Sequence, residues 1–283
     1  MAMRPVRPPL GLTFGSSLLL ATTTASAIGL TQINSDSDVI VVREGTSQTG
    51  PQWITQNDDP CTIVDGTSVA CAGALMVDTG WWRLFDLDAD HGMSGEFCVN
   101  AIDYAIQQAV GDEQDTTARV YCLDDGQPFT IDALDLIWEN SVPQPEVHLE
   151  FYTMEVPPGV CCDAGTQRMA VEMASDDCQE TGTCIFNFIG HNDLGESSPT
   201  YISSPDCGII DPVDLDDIGF PSSHLILVVH GADQGGTAGG SGDPCGGDPD
   251  VPAMTGLGLG LLCAALLAGG AFLIRRRHAS DGS

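Results

Sequence analysis

The sequence predicts an all-β protein: a two-sheet sandwich of jelly-roll type, disulfide-rich, with one C-terminal transmembrane helix. Three observations predict it. Short apolar runs of period two recur along the middle of the chain, eleven Cys are spread over 283 residues, and a 20-residue stretch without charge ends in three Arg. Period two is the mark of a strand with one buried face. A Cys load of this weight persists as disulfides where the compartment is oxidising.

In chain order, Arg4 and Arg7 precede an apolar stretch from Leu10 to Leu20 and then Ala25-Ser26-Ala27. Residues 1–27 therefore read as a signal peptide, because the apolar run is only about half a membrane span and closes on a small-x-small cleavage pattern. Residues 28–78 read as N-terminal strands or a lead-in, with Val39 to Val42 as a strand. Residues 79–230 read as the β-sandwich domain. Within them Val147, Leu149 and Phe151 alternate with His148, Glu150 and Tyr152, and Met169, Val171 and Met173 alternate with Arg168, Ala170 and Glu172. Cys184, Phe186 and Phe188 make another alternating face, as do Val120 and Cys122. With Trp81 to Leu87, Phe97 to Ile106 and Leu225 to Val229, the count is roughly nine strands between Gly, Pro, Asp and Asn clusters.

Residues 231–252 carry eight Gly and no aromatic residue, which predicts a flexible stalk. Residues 253–277 hold the uncharged run Thr255 to Ile274, long enough as a helix to rise about 30 Å, followed by Arg275-Arg276-Arg277. The three Arg place residues 278–283 in the cytoplasm under the positive-inside rule. The expectation is thus an exported domain at the cell surface or envelope on a single-pass anchor.

Charge limits the partners. Forty acids face nine bases, all Arg, for a net charge of −31. Residues 28–250 alone hold 39 acids and four Arg, a net −35. A nucleic-acid partner is excluded on this count, since nothing here neutralises a run of phosphates.

Two resemblances add to this reading. Val251-Pro252, the Gly/Leu/Ala-rich span and the Arg cluster resemble the C-terminal sorting signals of the PEP-CTERM and IPTL-CTERM type. This implies a sortase-like processing enzyme as a partner, with release after C-terminal processing. Motifs such as Trp82-Arg83-Leu84-Phe85-Asp86-Leu87, Phe97-Cys98-Val99, Ala170-Val171-Glu172-Met173, Ile189-Gly190-His191-Asn192 and Pro199-Thr200-Tyr201-Ile202 resemble, over about residues 79–231, an accessory β-sandwich domain of secreted and surface-sorted bacterial proteins. That resemblance implies a non-catalytic adhesion module and supplies no active-site residue.

Ten Cys lie outside the anchor. Proximity suggests Cys61 with Cys71, Cys98 with Cys122 and Cys178 with Cys184, and leaves Cys161, Cys162, Cys207 and Cys245 open. Zinc is disfavoured, since no CxxC pair occurs and no His stands at ligand spacing. Asp86, Asp88 and Asp90 in DLDADHG resemble the first half of a calcium loop, although His91 takes the place of the turn Gly. There is no GxSxG, no HExxH and no Lys, so no catalytic constellation assembles, and His191 is the one His singled out for test. The expected function is a non-enzymatic adhesion or interaction module for the cell surface or extracellular matrix, partnered by an extracellular polymer or surface protein. The alternative is a carbohydrate- or peptide-binding module assisting a separate secreted enzyme, with Trp81, Trp82 and Tyr201 as stacking residues.

Overall fold

The structure, a computed structural model, describes residues 29–32, 40–42, 52–72, 75–111, 114–175, 178, 184–235 and 244–245. Seventeen strands lie among them. Six form one antiparallel sheet, in the order β15 (Ile209–Asp214), β14 (Thr200–Ser204), β6 (Thr79–Phe85), β11 (Gln167–Ser175), β8 (Gln114–Asp124) and β9 (Asp135–Gln144). A five-stranded sheet runs β10 (Val147–Asp163), β7 (Glu96–Gly111), β17 (Leu227–Asp233) and β3 (Gln52–Thr55), with β12 (Cys184–Ile189) also on β7. Three two-stranded ribbons complete it: β1 (Gly29–Gln32) with β5 (Val69–Ala72), β2 (Ile40–Val42) with β4 (Thr62–Val64), and β13 (His191–Asn192) with β16 (His224–Leu225).

The fold is all-β and disulfide-rich, but the expected two-sheet jelly roll with a transmembrane helix is corrected. Very short strands pair into ribbons of their own rather than extending either large sheet. No helix among the described residues is long and apolar enough to cross a membrane. Residues 253–277, on which hydropathy alone placed the anchor, lie outside the described residues, as do the signal peptide and the cytoplasmic tail. The membrane partner and the single-pass topology are withdrawn with it.

One hydrophobic cluster joins the two large sheets. Trp81, Phe85, Val120, Met169, Val171 and Met173 enter it from the six-stranded sheet, and Ile102, Tyr104, Leu227 and Val229 from the five-stranded one. The 16-residue β7 spans the whole core because two irregularities correct its parity. Its pairing skips Asn100 opposite β17 and Gln107 opposite β12. Each skipped residue reverses the pleat, so Phe97 and Val99, then Ile102, Tyr104 and Ile106, then Ala109 all join the same core. Opposite Asn100, β10 bulges between Glu155 and Val160, where Pro157 and Pro158 have no ladder hydrogen bond to donate.

The disulfides follow this topology rather than proximity in sequence. Cys61 bonds Cys245, Cys71 bonds Cys207, Cys98 bonds Cys161 and Cys122 bonds Cys162. The expected pairs Cys61 with Cys71 and Cys98 with Cys122 are corrected: Cys98 sits directly opposite Cys161 in the β7–β10 register, and Cys122 reaches across to Cys162 in the facing sheet. Cys178 is disulfide-bonded, and the side chain of Cys184 lies outside the description.

Candidate functional site

The outer face of the six-stranded sheet carries one transverse row of large side chains. Strand register aligns Asp214, Tyr201, Trp82, Glu172, Arg119 and Glu139, one from each strand. The next row outward is small: Ser203, Gly80, Ala174, Thr117 and Ser141. A tall row beside a low row leaves a step in the surface, and the cavity of about 250 Å³ lies there. Asp78, Gly80, Trp82, Glu172, Arg119, Tyr121 and Ser203 form its floor and wall, while Ile131, Pro205 and Ile210 form its rim.

Residues 127–134 roof the row. The Arg168 guanidinium donates to the Gln127 carbonyl at 2.6 Å, and the Ile131 amide donates to Asp211 Oδ1 at 3.0 Å. Between these ties, Phe129 stands edge-on to Trp82 and to Tyr201, with ring centroids 6.0 and 5.0 Å away.

The polar network is asymmetric. Glu172 is only 6% exposed. Its Oε2 accepts from Arg119 Nη1 and from the Tyr121 hydroxyl, both at 3.0 Å. Its Oε1 accepts no hydrogen bond among the described residues and lies over Gly80, where a Cβ would stand 2.3 Å from it. A side chain at position 80 would therefore push the carboxylate out of its seat. Arg119 donates Nε to Glu139 and Nη1 to Glu172, and its Nη2 has no partner among the described residues. Ser203 Oγ accepts the Trp82 indole N–H at 2.8 Å and donates to no group among the described residues.

Burial pushes the Glu172 carboxyl above its usual range, with Arg119 and Tyr121 pulling against it and Asp78 adding to the rise. For Arg119, burial works to lower the value, but the Glu172 and Glu139 carboxylates outweigh it and hold the charge more firmly than usual. Burial and then the Glu172 charge push the Tyr121 hydroxyl up.

The stacking residues expected from sequence are redistributed. Trp81 is wholly buried in the core, its indole donating to the Val69 carbonyl, so it offers no ligand platform. Trp82 is on the outer face as alternation requires, yet only 1% exposed, covered by Phe129 and packed on Tyr121. Tyr201 meets the edge of Phe129 rather than open solvent. The three residues do not form a stacking surface.

The DLDADHG carboxylates do not converge either. Asp86 Oδ1 caps the Ala89 amide at 2.9 Å, and Asp88 and Asp90 point to solvent. The metal-compatible group found among the described residues is Glu96, Cys98 and Cys161. Its two sulfurs are bonded to each other, which removes the thiolates a metal would need. His191 is buried in β13 rather than lying in a loop, with Nδ1 at 3.1 Å from Ser68 Oγ and 3.0 Å from the Ile189 carbonyl oxygen. Burial pushes its pKa down to about 3.

Sequence reading missed Arg119, Tyr121, Ser203 and Gly80. The outward alternation of β8 and β11 was the available signal, but strand order alone brings them together. No family model, no curated protein and no solved structure matches the chain. The family resemblances rest on the quoted motifs alone.

Proposed function

We propose that this chain is a non-enzymatic interaction module, held by disulfides in an oxidising compartment, that takes its ligand in the cavity on the six-stranded sheet. One observation carries the reading: two residues lining one small cavity, a buried carboxylate and the arginine fixing it, keep Oε1 and Nη2 without a hydrogen-bond partner among the described residues. Unpaired polar atoms in a concave, partly apolar site are what a ligand's own donors and acceptors satisfy. The cavity lining holds no His or Cys, and the hydroxyl of Ser203 is bonded to an indole N–H rather than a base. An activated nucleophile requires that base.

The test is co-sedimentation of the full-length protein with intact bacterial cells, peptidoglycan, cellulose, chitin and fibrous collagen. The expected result is saturable retention on at least one of them, reduced at least tenfold by Glu172→Gln or Arg119→Met in variants whose near-UV circular dichroism is unchanged. Equal retention of wild type and both variants overturns the reading.

A further inference from the structure

The donor and acceptor pattern of this cavity names a class of ligand, an inference that rests on the cavity being the contact site. We propose that it holds one pyranose residue of a neutral polysaccharide, gripped through two adjacent ring hydroxyls.

Charge selects a neutral group. An anionic ligand would enter beside the Glu172 carboxylate on a domain of net charge −35. A cationic ligand would meet the Arg119 guanidinium, already 3.0 Å from Glu172. It would have to compete for a carboxylate whose other oxygen is committed to that guanidinium, and Asp78, the second carboxylate of the lining, already has an interaction of its own. A neutral group that both donates and accepts fits the remaining atoms. One hydroxyl donates to Glu172 Oε1, and its neighbour accepts from Arg119 Nη2 or from the Ser203 hydroxyl, which has a proton to give. Adjacent ring hydroxyls present a donor and an acceptor side by side, and hydrogen bonds to charged groups are the stronger kind.

Size and rim agree. About 250 Å³ is below the roughly 300–1,000 Å³ of sites for drug-sized ligands, which suits a single ring. Ile131 is 39% exposed and Ile210 68% exposed, and with Pro205 they offer an apolar edge to the C–H face of a sugar. The covered state of Trp82 puts recognition on hydroxyls rather than on aromatic stacking.

The experiment titrates full-length protein with methyl α-D-mannopyranoside, methyl β-D-galactopyranoside and methyl β-D-glucopyranoside, following the Trp82 indole N–H resonance. Nα-acetyl-lysine amide and acetate serve as the charged comparisons. The expected result is a saturable shift with at least one glycoside. Removing either of two adjacent hydroxyls of that glycoside, in its deoxy analogues, should weaken binding at least tenfold on unaltered protein. Ser203→Ala should weaken it severalfold.

No shift with any glycoside at about 100 mM, roughly a hundred times a millimolar Kd, overturns the proposal. Saturation by the lysine amide or acetate instead also overturns it, as does indifference to every deoxy substitution. If glycosides fail while retention on a polymer or on cells still depends on Glu172 and Arg119, only the sugar assignment falls. If that retention is also indifferent to both residues, the interaction reading falls with it.

Discussion

Cys161 and Cys162 are neighbours in the chain, yet their disulfides serve different purposes: Cys161 joins Cys98 on the adjacent strand, and Cys162 joins Cys122 in the opposing sheet. Alternation along β10 accounts for the split, since successive side chains leave a strand on opposite faces. Cys162 is 1% exposed and belongs to the core cluster, so the second bridge is a clasp through the core between the two large sheets.

Cutting that clasp has a predictable cost. Cys122 and Cys162 are 40 residues apart, and closing a loop of that length contributes roughly 4 kcal/mol in the chain-entropy model. The paired substitution Cys122→Ala with Cys162→Ala should lower unfolding free energy by about 2–4 kcal/mol in denaturant titration. A loss below about 0.5 kcal/mol would mean that the core holds the sheets without it.

Gly80→Ala should cost about 1–3 kcal/mol, as overpacking at a filled position does. The added methyl would lie 2.3 Å from Glu172 Oε1 and 3.0 Å from Ser203 Oγ and Trp82 Nε1. Glu172 moves aside only by breaking its bonds to Arg119 and Tyr121. Thermal melts and the cavity-dependent retention should both report the change. A variant with unaltered melting and retention would show that the step in the surface tolerates filling.

The Glu172 carboxyl should titrate above ordinary carboxylates in carbon-detected NMR, because burial favours its neutral form. A raised acid costs the native state when ionised, so its contribution to stability falls as pH rises from the ordinary carboxylate range through the raised native value. Arg119 favours the ionised form, and Arg119→Met should move the titration to still higher pH. A Glu172 titration below the ordinary range would reverse this account.

His191 acts in the opposite sense. Its native pKa of about 3 against an ordinary 6.5 means that the unfolded chain takes up the proton first as pH falls. Stability from this site is present above about pH 6.5 and is lost on going down toward 3, reaching roughly 2–3 kcal/mol of loss at pH 4.5. Comparing unfolding free energies at pH 7 and 4.5 for wild type and His191→Gln isolates it. The variant should show a shallower fall, and equal slopes would place the proton uptake elsewhere.

Much of the sheet architecture was legible from alternation. Met169, Val171 and Met173 face the core and Glu172 faces outward, as period two along β11 requires. The edges were not legible. β9 and β15 carry Pro143 and Pro212, residues that depress a strand reading yet are tolerated on the outermost strands of a sheet, where one side needs no ladder partner. The site was hidden for a different reason. Trp82, Glu172 and Arg119 lie on β6, β11 and β8, whose adjacency skips over intervening strands, and neither spacing nor composition encodes that order. In the acidic DLDADHG run, carboxylates at alternate positions fit a turn capped by Asp86 as well as they fit a cation, so spacing does not separate the two.

The Cys61–Cys245 bridge encloses 184 residues of separation and ties the chain just past β17 back to the approach of β4. Tension applied beyond residue 245 is therefore delivered through sulfur to Cys61, and the hydrogen bonds that β17 makes with β7 and β3 are spared from being unzipped one at a time. Chemical reduction of the bridge would turn that load path into a peeling path.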